Sequence, residues 1–320
     1  MSVAVVGAGI SGLACARVLM DGGVQVVVHE RSRAVGGRMA SPLLHGRRVD
    51  TGAAYFTVDG DGFDAQVQDW RRRDLAQPWT DTLGVWSGGE RSTKSGPQRW
   101  CAPGGLRSLV EDLATGLDVR LGSEVHSVRR GVGGGVVLGG SGADGGEHDA
   151  VVLAMPDPQA LRLLDATHTA ARAELMGREW EPVIAVAIGA HERTWGELTA
   201  MFVNDHPVLA LLADDGARRG DGAPVLLAHT TSPLAAAHLD DPAAVVPAVL
   251  AALPEVLGSE LDVAWTHPHR WGMARPAQNR EATHWWGGKV GLCGDGWGRS
   301  KVGTAWDSGT ALGTAILATG

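Results

Sequence analysis

SVAVVGAGISGLACARVLMDGGVQVVVHERSRAVGGRMAS, running from Ser2 to Ser41, carries two glycine-rich turns on either side of a strand, and the architecture follows from them. Val3 to Val6 is a short apolar run, largely β-branched, as a strand buried on both faces requires. The turn Gly7-Ala8-Gly9-Ile10-Ser11-Gly12 follows and matches G-x-G-x-x-G; Leu13 to Met20 then reads as helix. Gly22-Gly23 ends that helix, and Val24 to Val28 is a second buried strand closing at His29-Glu30. Together they make a βαβ unit whose glycine turn lets a backbone approach a pyrophosphate at a helix N-terminus. Glu30 stands 18 residues after Gly12, where a carboxylate accepts hydrogen bonds from ribose hydroxyls and disfavours a 2′-phosphate.

A second glycine pair decides which dinucleotide is expected. Glu30-Arg31 is followed after four residues by Gly36-Gly37-Arg38, the pattern E-R-x-x-x-x-G-G-R. A nicotinamide dehydrogenase has no need of an arginine-flanked loop directly after its second strand. A flavin dinucleotide is longer and lies extended, so a second loop must cover its pyrophosphate and ribityl chain. Gly37 permits close approach, and Arg38 adds a charge-assisted contact. The expected cofactor is FAD.

Composition narrows the remaining possibilities. At 320 residues the chain can bury a sizeable core and suggests two domains. A net charge of −8 gives no case for nucleic acid or an anionic membrane as partner. The apolar run from Val3 to Met20 lacks a basic leader and is interrupted by glycines and Arg17, so no membrane span is expected and the protein reads as cytoplasmic. The three cysteines, Cys15, Cys101 and Cys293, are widely spaced and read as small core residues, not metal ligands. No metal is expected. His267 and His269 lie two apart, but no carboxylate or third histidine accompanies them locally.

The far end, KVGLCGDGWGRSKVGTAWDSGTALGTAILATG, reads as a strand (Val290 to Cys293), a Gly294-Asp295-Gly296 turn and a helix from about Val302 to Ala318. With RVDTGAAYFT (Arg48 to Thr57), RWCAPGGLRSLVEDLA (Arg99 to Ala114) and VVLAMPDPQALRLL (Val151 to Leu164), the chain resembles the renalase-like branch of the monoamine-oxidase-type flavoproteins over nearly its whole length. The resemblance implies an α/β fold: a Rossmann-type FAD-binding domain of the glutathione-reductase-like kind, with an interposed α+β substrate domain on a mixed sheet. It implies that Asp295 and Gly296 hold the ribityl chain and that the helix starting at Val302 points at the flavin pyrimidine. It further places Asp50, Gly52, Ala53, Tyr55 and Phe56 alongside the isoalloxazine, and Val125 at the adenine end through its backbone. The Ser-Gly-Gly-Cys-Tyr attachment segment of the covalent monoamine oxidases is missing from this sequence, so non-covalent FAD is expected.

The FAD-binding domain is expected to be discontinuous, residues 1–60, 100–160 and 286–320, with 61–99 and 161–285 forming the substrate domain. Gly131 to Gly146 reads as an exposed hairpin within the first. In the second, Glu181 to Ala190 and Pro224 to Thr231 read as strands, and DPAAVVPAVLAALPEVLG as helix. VAWTHPHRW alternates, so Val263, Trp265, His267, His269 and Trp271 share one strand face, and Pro268 argues against a central ladder position. Twelve tryptophans against one tyrosine and three phenylalanines is an unusual aromatic set. Trp271, Trp297 and Trp306 are candidates to enclose a planar substrate.

The expected chemistry is hydride transfer from a small-molecule substrate, with dioxygen as electron acceptor. Lys301 and the helix start at Val302 are placed to stabilise negative charge. The sequence offers no Ser-His-Asp set and no activated cysteine, and residues 160–285 contain no lysine. By resemblance, the substrates are 2- or 6-dihydro isomers of NAD(P)H, oxidised to NAD(P)⁺ with formation of hydrogen peroxide. An amine oxidase or small-molecule desaturase is the alternative. A flavin-binding redox partner without turnover is disfavoured by the large substrate domain.

Overall fold

The computed structural model describes residues 1–143 and 145–319; Asp144, inside the glycine-rich stretch, and Gly320 lie outside the described residues. The chain divides into two compact units. The first comprises Met1–Gly37, Val110–Trp180 and Arg275–Gly320, and the second Arg38–Leu109 and Glu181–Ala274.

In the first unit the opening strand Ser2–Val6 lies inside a six-stranded sheet. Strand Gln25–Glu30 pairs with it on one side and Ala150–Leu153 on the other, both parallel. Asp118–Leu121 and Val290–Leu292 extend the parallel array, and Trp285–Gly287 closes one edge antiparallel. Val3, Ala4 and Val5 are fully buried, the outcome their unbroken apolar run demands. Glycine-rich residues 131–143 belong to an antiparallel sheet of Glu124–Arg130, Val136–Ser141 and Glu147–His148, and that sheet is not wholly exposed: Val136 and Leu138 are buried in the unit's core.

The second unit is built on an eight-stranded mixed sheet. In spatial order its strands are Val263–Pro276, Trp180–Ala190, Val225–Thr230, Leu209–Asp214, Ala200–Asn204, Gln77–Ser87, Glu90–Cys101 and Phe56–Thr57. Ala200–Asn204 runs parallel to Gln77–Ser87, whereas the strands from Trp180–Ala190 to Ala200–Asn204 pair antiparallel. Along the strand Trp180–Ala190 the sheet's two faces differ in side-chain size. Ile184, Val186 and Ile188 pack with Leu212, Leu226 and the helix Val246–Leu257. That helix is preceded by a 3₁₀ turn, Pro242–Val245, and takes Pro247 in its first turn, where a missing N–H costs no hydrogen bond. The opposite face carries Ala185, Ala187, Gly189 and Ala213, small residues that leave room for large rings above them. A Cβ at Gly189 would lie 2.1 Å from the Trp265 indole. Pro268 sits in Val263–Pro276, at the sheet's edge, where a lost ladder donor is tolerated.

The division departs from the boundaries read from sequence. The first piece ends at Gly37, not Gly60, because Phe56–Thr57 joins the second unit's sheet against Arg99 and Trp100. The middle piece runs on to Trp180, because helices Asp157–Leu163 and Thr169–Leu175 pack into the first unit's core. The last piece begins at Arg275, not Trp286, because the Ala277 N–H donates to the Glu179 carbonyl and Arg280 is anchored on Asp157.

Candidate active site

In the first unit, the Gly7 N–H donates to the His29 carbonyl at 2.8 Å, tying the turn to the second strand. A Cβ on Gly12 would meet the Gly7 carbonyl oxygen at 2.0 Å, so only glycine lets helix Ile10–Asp21 approach the strand this closely. Gly9 caps that helix without a side-chain acceptor, and a Cβ there would meet nothing within 4 Å. Open space therefore faces a helix N-terminus with N–H groups to offer, the arrangement an anionic pyrophosphate requires. Glu30 is buried at the end of the second strand. Its Oε2 accepts the Ala8 N–H at 2.9 Å and its Oε1 the Ser32 N–H at 2.8 Å, and each oxygen keeps a lone pair for a diol hydroxyl. The Gly36 N–H donates to the Ala8 carbonyl, and a Cβ on Gly37 would lie 3.5 Å from the Gly9 Cα. Gly7, Ala8, Gly9, Gly12, Glu30 and Gly37 are thus brought together. The Ser11 hydroxyl lies against the Cys293 thiol, Arg31 is exposed beside Glu30, and Val125 pairs with Gly140 with its side chain in the core.

The closing segment meets this turn through a helix pair. Helix Val302–Leu317 packs on Ile10–Asp21 so closely that a Cβ on Gly309 would lie 2.0 Å from the Ser11 carbonyl oxygen. Gly313 meets Val18 and Cys15, so the helices run parallel with both N-termini at one end. Val302 stands seven residues before Gly309, which puts the closing helix's start roughly 9 Å beyond the first helix's start. Two positive helix ends staggered by that distance suit an extended dinucleotide, one at its pyrophosphate and one farther along. The Gly294 N–H donates to the Ser308 hydroxyl, and the Ser300 hydroxyl to Asp295 at 2.7 Å, so the Gly294-Asp295-Gly296 turn is fastened to the helix it precedes. Lys301 is the N-cap, and Lys301, Val302 and Trp306 are half-buried.

Trp297 is a correction to the sequence reading. Its side chain is 5% exposed in the core, with the Arg280 guanidinium 4.1 Å over its ring. Arg280 also donates to Asp157 at 2.6 Å and to the Gly296 carbonyl, and Trp180 donates to the same Asp157. Trp297 is therefore held as packing, with no face free to stack on a substrate.

In the second unit the loop after the second glycine pair is tightly held. The Ala53 N–H donates to the Arg38 carbonyl at 2.9 Å, and a Cβ on Gly52 would lie 1.9 Å from that oxygen. The Arg38 guanidinium donates to the Ala274 carbonyl, and the Trp271 indole N–H to the Thr51 carbonyl at 2.7 Å. Tyr55 packs with Trp79, Phe202 and Trp271 over the small-residue face of the sheet, with Arg99 against its ring.

Asp50 and Phe56 are placed otherwise than expected. Asp50 is 1% exposed; it accepts the Leu106 N–H and the Ser41 hydroxyl and lies between Arg218 and Arg219. Phe56 is 2% exposed, edge-on to Phe63 and stacked on Trp100. Neither side chain is presented to a ligand; each anchors the loop from below. The sequence reading missed the charge cluster around Asp50. Arg218 also donates to the Ala54 carbonyl, and Asp215 accepts from Arg47, Arg218 and Arg219. Burial alone would raise the Asp215 carboxyl, but the three guanidiniums draw it down to about 2. Only the adjacent arginines at 218–219 hinted at this in the sequence.

The strand Val263–Pro276 presents Trp265, His267, His269 and Trp271 as half-buried residues, with Ala264 and Arg270 outward. His45 stacks on Trp265, ring centroids 4.5 Å apart, and His269 lies 4.4 Å from Trp271. Burial, aided by nearby cationic groups, pushes both His267 and His269 below the usual imidazole value and favours their neutral forms. Cys101 and Cys293 are pushed up to about 11 and about 12 by burial, which keeps them as thiols. Among the described residues, no group of three or more His, Cys, Asp or Glu could hold a metal, and no helix is long and apolar enough to cross a membrane.

A parallel-sheet dinucleotide unit with a glycine turn, a buried glutamate closing its second strand and two staggered helix ends fits a flavoprotein of the Rossmann-like class. Residues 5–67 match the NAD(P)-binding Rossmann-like domain, and residues 74–284 match the flavin containing amine oxidoreductases. The chain belongs to the flavin containing amine oxidoreductase family and is an FAD-dependent oxidoreductase. Among solved structures it is similar to a protein assigned as a protoporphyrinogen oxidase from Exiguobacterium sp. 255-15, with a TM-score of 0.81, 15% identity, and coverage of 100% of this chain and 99% of that one. It is also similar to a double mutant of putrescine oxidase (TM-score 0.77, 17% identity, 99% and 98% covered). Cyclohexylamine oxidase from Brevibacterium oxydans IH-35A gives a TM-score of 0.77 at 15% identity, with 99% of each chain covered. At these identities the likeness is one of fold.

Proposed function

We propose that the protein is an oxidase of small planar hydride donors, of which 2- and 6-dihydro isomers of NAD(P)H are the best fit, and that it holds FAD non-covalently. FAD, when bound, supplies a two-electron acceptor that takes hydride from a substrate carbon and passes the electrons to dioxygen, giving hydrogen peroxide. Gly9, Glu30 and the first helix hold the dinucleotide's pyrophosphate and ribose in this reading, and Asp295 its ribityl chain. Lys301 and the closing helix's N-terminus supply positive potential where negative charge develops.

The observation that carries the reading is the second unit's wall of Tyr55, Trp79, Trp265 and Trp271 with imidazoles favoured as neutral. A dihydropyridine gains aromaticity as it loses hydride, so orientation on indole faces suffices and no strong base is needed. In this reading Trp271, whose indole N–H is held by the Thr51 carbonyl, is the ring that orients it.

Amine oxidation is the second reading, favoured by the family and by the chemistry of putrescine oxidase and cyclohexylamine oxidase. In it the neutral His269 accepts the proton an ammonium substrate must shed. Anaerobic stopped-flow mixing of the FAD-loaded protein with dihydronicotinamide isomers, NADH and amines separates the two. Rapid bleaching by the 2- or 6-dihydro isomers, slowed in Trp271→Ala, supports the first reading. Rapid reduction by amines with no response to the isomers replaces it with the second.

A further inference from the structure

The second unit carries an unusual row of basic side chains. His267 and His269 occupy alternate positions on one face of Val263–Pro276, and His45 reaches the same face through its stack on Trp265. His45 acts on His267, and His267 and Arg107 act on His269, each against protonation. All are cationic or can become so, and no carboxylate is among the groups that shift either imidazole. The row is no metal centre either, since no group of metal-holding residues is found among the described residues.

We infer that His45, His267 and His269, with Arg107 beside them, form a phosphate-recognition site that takes the charged end of the substrate while Trp265 and Trp271 take its planar ring. For the substrate this rests on the planar-donor reading above; the phosphate site itself does not. Neutral imidazoles already offer N–H donors, and a bound phosphate favours their protonation, turning those bonds into charge-assisted ones. Once protonated, the same row repels ammonium substrates. The enzyme therefore selects phosphate-bearing donors over amines, and its affinity for them rises on acidification as the imidazoles take up protons.

Pyrophosphate titrated calorimetrically into the FAD-loaded protein tests the site without turnover. Binding is expected to tighten as pH falls from about 7 to about 5, because burial holds both imidazoles below the usual imidazole range. The double substitution His267→Gln/His269→Gln should weaken it about ten-fold or more with flavin content unchanged. In turnover the double variant should raise KM for a dihydronicotinamide dinucleotide several-fold more than KM for the phosphate-free riboside, and equal effects on the two substrates count against the site. Should the double variant fail to retain flavin, His45→Asn at an exposed position gives the same reading of pyrophosphate affinity. Equal pyrophosphate binding by wild type and variants, or binding indifferent to pH, overturns the proposal. Retained, histidine-dependent pyrophosphate binding in a protein that oxidises no dihydronicotinamide sustains the site and overturns only the substrate reading.

Discussion

Glu30 is bound twice by its own backbone surroundings, through Ala8 and Ser32, before any ribose arrives. That preorganisation gives the carboxylate one orientation, and in the proposed reading its contribution falls on cofactor affinity and not on hydride transfer. Glu30→Ala is expected to weaken FAD binding roughly ten- to hundred-fold, the size of hydrogen bonds to a charged group. Titration of apoprotein with FAD checks this, and the rate of anaerobic bleaching at saturating FAD should stay near that of the parent. Gly12 shows how far a single residue's reading carries. Its role was legible in the G-x-G-x-x-G spacing, because the demand for a missing Cβ is local. The buried anchoring of Asp50 was not legible, because its partners come from residues 41, 106, 218 and 219.

Two glycines set the contact between the first and closing helices. Gly309 faces the Ser11 carbonyl and Gly313 faces Val18, and the parallel packing they permit sets the stagger of the two N-termini. Gly309→Val must push the helices apart or distort one of them. Overpacking of this kind typically costs about 1–3 kcal/mol. The variant should therefore melt several degrees lower in a thermal scan and should also lose FAD affinity, since the helix ends move with the packing. Serine at Ser308 is likewise part of the element, because its hydroxyl receives the Gly294 N–H and fixes the turn bearing Asp295. The strand, turn and helix were each readable in sequence; their mutual distance was not.

At the scale of the whole molecule, acid stability and cofactor retention are the properties to measure. Asp215 has its carboxyl drawn down from near 3.8 to about 2 in the folded protein. A depressed folded value means the stability it confers is complete above about pH 4 and is lost as pH falls toward 2. Asp215→Asn leaves Arg47, Arg218 and Arg219 without their shared partner and should destabilise the protein at neutral pH by about 3–5 kcal/mol. Denaturant melts at stepped pH values should show the parent losing stability through that acid window and the variant losing less. For the cofactor, acid precipitation should release all the flavin to the supernatant as FAD, in keeping with cysteines that are buried and held as thiols.

The sequence by itself determined the βαβ unit, the flavin-type second glycine loop, the closing Gly-Asp-Gly turn with its helix, and the edge placement of the strand containing Pro268. Each is a local rule, satisfied by residues a few positions apart, so composition and spacing suffice. Folding in three dimensions was needed to show that Phe56 and Trp297 are buried in packing, that Asp50 belongs to a buried charge cluster, and that His45 stacks on Trp265. Those outcomes depend on burial and on partners far away in the chain. Burial is decided by the complete set of contacts that folding assembles, which no short window of sequence contains.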